Sequence, residues 1–272
     1  MLNFTENSLS TQNISTEILG GPAQLSFRSG EDKIIRVNAH GKLTDLGLKK
    51  VASNLLIDNM QGSAEWTSEI VIKKPMIDLS LRSNLVGMAI LLPPPFKKTV
   101  DQEVALSLVK KQTNSISDNI NIAFGNLVTA KLVRTEQAGE LVIERGDIGI
   151  NIAAALPNQA GLSLHGKLDS LNADDWIALF TKPSNTQKSK VDASTLSINK
   201  ADLNVQKMEI FGRSLNNLKL IAEPANTGLK MIIDSTEING EAEWQKEGNG
   251  KIIAPVSLYT SDAADDLTRV DL

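Results

Sequence analysis

Apolar residues recur at every second position in the middle of the chain. From Ile148 to Leu156 each even-numbered residue is apolar, and the residues between them are small or polar. Because the side chains of a strand alternate between the two faces of a sheet, this pattern predicts a strand with one apolar face. Arg145–Asp147 and Pro157–Gly161 have the composition of turns, so the sequence predicts two consecutive hairpins within Glu140–Lys167.

The same alternation runs along most of the chain and predicts roughly fifteen or more short strands separated by turns. Leu48, Val51 and Leu55 follow helical spacing, which predicts a short helix near residues 44–54. A second helix is predicted near 172–180, with Asn172 as its N-cap. The fold class is therefore mainly all-β: a long antiparallel β-meander curved into an open, repeating groove, with two short helices.

Two short motifs occur twice, in the same order. His40–Leu43 recurs as His165–Leu168, and Gly62–Trp66 resembles Gly240–Trp244. A predicted helix follows each His-Gly-Lys-Leu copy, so we interpret the chain as two repeats of one supersecondary unit. The predicted segments are a flexible lead-in at 1–20, a first β-groove segment at 21–164, a second repeat at 165–257, and a truncated acidic tail at 258–272.

Composition excludes several classes of function. The chain has 272 residues, a formal net charge of −4 and no cysteine. The absence of cysteine excludes disulfides, thiol nucleophiles and iron–sulfur sites. Without a basic excess, nucleic acid is not an expected partner. Aromatic residues make up only 4% of the chain, so Leu, Ile, Val and Ala must provide most of the apolar surface.

Each residue group that could carry chemistry has a simpler structural explanation. The two histidines end strands before glycine, and Asp174 and Asp175 suit the negative charge favoured in the first turn of a helix. A turn explains Arg145–Asp147, and a loop at the edge of the sheet explains Pro93–Pro95. Strand packing explains Trp66 and Trp244. We therefore expect no enzyme activity, catalytic residue, metal site or cofactor.

An extended sheet with a continuous aliphatic face can close as a barrel, pack against a second sheet, or remain open and hold an apolar ligand. A lipid acyl chain gains about 0.8 kcal/mol for each buried methylene, without any need for headgroup specificity. If the face is open, its predicted lining residues are Leu79, Leu81, Val86, Met88, Ile90, Leu106, Leu108, Ile120, Ile122, Ile148, Ile150, Ile152, Leu203 and Val205.

Several segments resemble a known family in their order and spacing. Leu168–Phe180, Phe211–Leu220 and Ile238–Trp244 are similar to the YhdP family of AsmA-like proteins, and Met60–Trp66 and Ser83–Pro95 resemble an earlier block of the same family. The resemblance implies a long envelope protein of Gram-negative bacteria, anchored in the inner membrane by an N-terminal helix. It also implies movement of phospholipid toward the outer membrane through a β-sheet groove. This chain would be an internal, periplasmic portion without the anchor.

Two hypotheses about function remain open at this stage. In the first, the chain is a segment of a bridge-like protein that holds phospholipid in its groove, with the inner membrane and outer-membrane or periplasmic proteins as further partners. In the second, it is a structural or protein-binding β-domain of the envelope, with the apolar face closed as a core. Two sheets packed about 10 Å apart would favour the second.

Overall fold

The computed structural model describes residues 2–5, 8–30, 32–52, 54–181, 198–225, 228–245, 251–253 and 256–257. The fold is mainly β, as predicted, with short helices between some of the strands. The strands are β1 Leu2–Thr5, β2 Ser8–Ile18, β3 Gly21–Ser29, β4 Ile35–Thr44, β5 Met60–Lys73, β6 Met76–Ser83, β7 Met88–Ile90, β8 Leu106–Gln112, β9 Ser117–Phe124, β10 Val128–Gln137, β11 Glu140–Ile150, β12 Gly161–Asn172, β13 Ile198–Ile210, β14 Arg213–Ala225, β15 Gly228–Asp234, β16 Asn239–Gln245, β17 Lys251–Ile253 and β18 Val256–Ser257.

The chain divides into two compact units between Ala160 and Gly161. In the first unit, β1, β2, β3, β4, β5, β6, β8, β9, β10 and β11 pair in that order, and every pair is antiparallel. The short β7 pairs with the start of β5 instead. In the described part of this unit no pairing joins β1 to β11, so the sheet does not close into a barrel.

Several local predictions differ from the structure. Residues 2–5 and 8–18, predicted to belong to a flexible lead-in, form β1 and β2. The Arg145–Asp147 segment is not a turn but lies inside β11, where it pairs with β10 beside a register shift. The strand ends at Ile150, and Asn151 has a φ of 53°, so the predicted alternation up to Leu156 does not continue as a strand. The predicted acidic tail at 258–272 lies outside the described residues.

The helix predicted near residues 44–54 is present, and a second short helix that was not predicted follows it. Helix α1 spans Asp45–Val51, and the Thr44 side chain caps it by accepting a hydrogen bond from the Gly47 N–H at 3.0 Å. Helix α2 spans Leu55–Asp58 and is capped in the same way by Asn54. Both capping side chains satisfy backbone donors that a helix leaves unpaired at its first turn.

A small closed core lies where β7 meets β5. Met60, Leu85, Met88, Ile90 and Leu92 are buried there, and Met88 and Ile90 have no exposed surface. The two backbones approach closely, because the Ser63 N–H donates to the Gly87 carbonyl at 3.1 Å. Gly87 has a φ of 93°, and a Cβ at this position would collide with the carbonyl oxygen of Ser63. Only glycine combines this conformation with so close a contact.

Lys98 ties the loop after β7 to this core. Its side chain is buried, and its Nζ donates hydrogen bonds to the carbonyl oxygens of Leu85 and Met88 at 2.7 Å and of Thr99 at 3.0 Å. Burial lowers the pKa of this ammonium below its ordinary value, and the nearby Asp101 carboxylate opposes that shift. The lysine therefore acts as a cross-link between segments of irregular backbone.

The second unit contains β12 to β18 and helix α3, which spans Ala173–Thr181. Asn172 caps α3, as predicted, because its side-chain oxygen accepts from the Asp174 and Asp175 N–H groups. From β13 to β16 each strand pairs antiparallel with the next. However, β12 and β13 are parallel, so the expectation of a wholly antiparallel meander is wrong at this pair.

Candidate functional site

One face of the first unit's sheet carries rows of mainly aliphatic side chains that continue from strand to strand, with the polar Ser68 of β5 in the first row. Leu81 of β6 lies opposite Leu108 of β8, which lies opposite Ile122 of β9. The complete row, from β2 to β11, is Ile14, Leu25, Ala39, Ser68, Leu81, Leu108, Ile122, Ala130 and Ile148. We call the sheet surface that carries this row the apolar face.

A second row runs beside the first on the apolar face. It consists of Phe27, Val37, Ile70, Leu79, Lys110, Ile120, Leu132 and Gly146. A third row, on the other side of the first, includes Trp66, Leu106, Phe124, Val128 and Ile150. The register therefore places these predicted lining residues on one surface: Leu79, Leu81, Leu106, Leu108, Ile120, Ile122, Ile148 and Ile150.

The centre of the apolar face is not covered by a second layer in the described part of the unit. Apart from the short β7, all described strands of this unit pair side by side in one sheet, so these strands provide no separate second sheet to cover the face. Accordingly, the side chains of Leu81, Leu108 and Ile122 are half-buried rather than buried. A sandwich core would bury such residues against a second sheet. This surface can therefore receive an apolar ligand.

The other predicted lining residues lie elsewhere. Met88 and Ile90 are fully buried in the small core beside β5, so an open surface does not include them, whereas Val86 in the same loop is exposed. The alternation in residues 86–90 reflects this local core and not the large face. Ile152 follows the end of β11, where its carbonyl accepts a hydrogen bond from the Thr129 hydroxyl at 3.1 Å.

The second unit has its own apolar surface. Leu203 lies opposite Leu220, and Val205 lies opposite Leu218 across β13 and β14. Val205 and Leu218 are buried, while Leu203 is half-buried. The two predicted residues of this unit therefore share one face of its sheet, and that face is more closely packed at Val205.

Charged residues interrupt the apolar face near the β8–β9 and β10–β11 turns. Asp118 is buried and accepts two hydrogen bonds from Arg134, from Nε at 2.9 Å and from Nη2 at 2.7 Å. Lys110 places its Nζ at 3.7 Å from the same carboxylate. We call Lys110, Asp118 and Arg134 the rim cluster. The carboxylate raises the pKa of Arg134 above its ordinary value, so the guanidinium remains charged.

Comparison with known proteins identifies the family. A family model described as YhdP protein matches residues 1–265. This chain belongs to the YhdP family. No curated protein and no solved structure matches it significantly. Among the described residues of this YhdP-family chain, no helix is both long enough and apolar enough to cross a bilayer.

The two His-Gly-Lys-Leu copies of this YhdP-family chain have the same orientation within their strands. Gly41 and Leu43 share a face with Ala39, and Gly166 and Leu168 lie opposite Leu203 and Val205. The histidines therefore lie on the polar side of each sheet. His40 is exposed there, and both histidines lie inside their strands, β4 and β12, so the prediction that they end strands is wrong.

Asp174 has a structural role beyond the helix start. Its side chain accepts a hydrogen bond from the Phe211 N–H at 2.8 Å, which ties α3 to the turn between β13 and β14. Trp66 is 4% exposed within β5, so this indole is part of the packed sheet. Sequence reasoning assigned structural explanations to both residues, and these contacts are consistent with them.

The polar side of the first unit carries an open depression of about 1210 Å³. Its lining includes side chains of both charges, such as His40, Lys42, Glu65, Glu69 and Arg82. These charged residues project to the face opposite to the aliphatic rows, and Ala39, Trp66, Ser68 and Leu106 of those rows also border the depression. The mixture of charges among exposed residues does not define one ligand chemistry.

Proposed function

We propose that this chain holds phospholipid acyl chains on the apolar face of its first unit. The observation that carries the proposal is the half-buried row that continues through Leu81, Leu108 and Ile122 without a second sheet above it. Membership of the YhdP family is consistent with a role in envelope lipid transport. In this proposal the chain is a segment of a bridge-like protein that supports phospholipid transport between the inner and outer membranes.

The energetics of such binding follow from apolar burial. Each acyl methylene removed from water contributes about 0.8 kcal/mol. Aliphatic side chains give this energy without directional bonds, so a ligand can lie in more than one position along the row. A transport role needs this property, because a lipid must be released as well as bound.

The proposed setting is the periplasm of a Gram-negative bacterium. The partners would be phospholipid, the inner membrane, and outer-membrane or periplasmic proteins. Binding and movement of lipid require no covalent step, so the proposed role is not enzymatic. A net charge of −4 gives no support for nucleic acid as a partner.

Site-specific photo-crosslinking tests which face holds lipid. Ile122 lies on the apolar face, and its neighbour Asn121 projects to the opposite, polar face of β9. A photoreactive residue at 122 should label phospholipid in cells, whereas one at 121 should not. Equal labelling at both positions would refute the face assignment. Crosslinking of position 122 only to protein would favour the structural or protein-binding alternative.

A further inference from the structure

The rim cluster places an excess positive charge on an otherwise aliphatic surface. Lys110 lies between Leu79 of β6 and Ile120 of β9 in the second row. Asp118 and Arg134 lie opposite each other one step further toward the strand ends. Two cations and one carboxylate give the rim cluster itself a net charge of +1.

The hydrogen bonds leave the lysine available. Arg134 satisfies both carboxylate oxygens of Asp118 through its own fork of donors. The 3.7 Å separation between Lys110 Nζ and Asp118 is an ion-pair distance but too long for a hydrogen bond. Among the described residues, none accepts a hydrogen bond from this ammonium. Its side chain is 24% exposed, so a ligand on the apolar face can reach it.

A ligand complementary to this surface has an apolar body and a negatively charged end. We propose that Lys110, supported by Arg134, binds the phosphate group of a phospholipid whose acyl chains lie along the neighbouring aliphatic rows. This inference rests on the proposed function and adds the position of the headgroup. Asp118 is a positioning residue, because it holds the guanidinium beside the lysine.

A lysine at the edge of a sheet can also be a simple solvated charge, and the sequence provides a matched comparison. Lys111 is the next residue of β8, is exposed, and projects to the opposite face. If Lys110 binds the headgroup, phospholipid binding depends on Lys110 and does not depend on Lys111. A nonspecific electrostatic attraction treats the two lysines alike.

The experiment compares two lipids that differ only in phosphate. The full chain is mixed with a pyrene-labelled diacylglycerol, and displacement is measured with dioleoyl phosphatidic acid and with dioleoylglycerol. The wild-type chain should bind phosphatidic acid more tightly than dioleoylglycerol. Lys110→Gln should weaken binding of phosphatidic acid about three- to fivefold, the range of a partly exposed ion pair. It should leave dioleoylglycerol binding unchanged.

Two control variants and inorganic phosphate as a competitor distinguish a headgroup site from loss of folding, nonspecific attraction and binding of a free anion. Lys111→Gln should behave as wild type, and Lys110→Arg should keep the preference for phosphate and so exclude loss of folding as the cause. Equal effects of Lys110→Gln and Lys111→Gln, or no preference for phosphatidic acid, would overturn the headgroup site alone. Competition by inorganic phosphate as strong as by phosphatidic acid would assign the site to a free anion. Failure of the labelled diacylglycerol to bind at all would overturn the proposed function as well.

Discussion

Replacing Lys98 by methionine tests whether a buried ammonium holds the loop after β7 in place. Methionine keeps most of the aliphatic length but removes all of the donors. In the folded chain, Nζ donates to three carbonyl oxygens at 2.7, 2.7 and 3.0 Å. Each of these charge-assisted bonds contributes about 1.5–3 kcal/mol. The ammonium also regains its hydration on unfolding, which offsets a large part of that sum.

Two of the carbonyls would keep another partner in the variant. The Leu85 carbonyl also accepts from the Met88 N–H, and the Thr99 carbonyl also accepts from the Gln102 N–H. We therefore expect Lys98→Met to lower the free energy of unfolding by about 2–4 kcal/mol, less than the sum of three separate bonds. The exposed neighbour Lys97 is the matched control, and Lys97→Met should change stability by less than about 0.5 kcal/mol.

Urea titration followed by tryptophan fluorescence measures this effect locally. In a background with Trp176→Phe and Trp244→Phe, the remaining Trp66 lies opposite Ser83, next to the start of the Lys98-bound loop. Its transition should shift to lower urea in Lys98→Met. If Lys98→Met and Lys97→Met have the same midpoint as the parent, the three hydrogen bonds do not stabilise the core.

Three further predictions concern stability. Gly87→Ala should lower the free energy of unfolding by about 2–4 kcal/mol, because the new Cβ would collide with the Ser63 carbonyl and the backbone has a positive φ. Gly139→Ala has a positive φ but no such collision, so it should cost about 1 kcal/mol. Urea titration measures both values. Asp118→Asn should cost about 1–3 kcal/mol because it leaves two cations without their buried partner. Asp32→Asn breaks an exposed ion pair with Arg36 and should have no measurable effect on stability. Hydrogen bonds from the backbone and side chain of Asn216 lower the pKa of the Glu237 carboxyl below its ordinary value. The carboxylate therefore contributes fully to folding stability above its unfolded-state pKa, and this contribution is lost as the pH falls through the folded-state pKa. The stability difference between wild type and Glu237→Gln should disappear in acid.

The controls define what would contradict each of these predictions. Equal losses in Gly87→Ala and Gly139→Ala would show that backbone strain and not the close contact determines the cost. A cost for Asp32→Asn as large as that for Asp118→Asn would show that burial of the ion pair has no effect. A constant difference between wild type and Glu237→Gln from neutral to acidic pH would show that the carboxylate does not contribute through its charge.

Alternation predicted correctly which residues within one long strand share a face. Leu106 and Leu108, like Ile120 and Ile122, keep a period of two within one strand, and antiparallel pairing then aligns the rows. It failed at Met88, where a three-residue strand packs into a local core. Alternation specifies two faces of a strand, but it does not specify which tertiary neighbours cover them.

Other features depend on contacts between residues far apart in the chain. The parallel pairing of β12 with β13 is set by tertiary packing, and no local pattern distinguishes it from a hairpin. The Arg145–Asp147 segment has the composition of a turn but forms part of β11, because it pairs with β10. The rim cluster, by contrast, had a signal in the sequence. Lys110 continues the two-residue spacing of Leu106 and Leu108, and Asp118 begins the same spacing before Ile120 and Ile122. The sequence therefore indicates that both charged residues lie on the apolar face.

The row from Ile14 to Ile148 determines how the binding energy of a lipid acyl chain changes with its position along the sheet. Neighbouring strands are spaced about 4.8 Å apart. An acyl chain displaced sideways by one such step leaves one set of aliphatic contacts and meets a nearly equal set, so its energy profile along the sheet has only shallow minima. We expect such a surface to let its cargo slide with little resistance, with the charged positions near the turns as the places where that motion pauses.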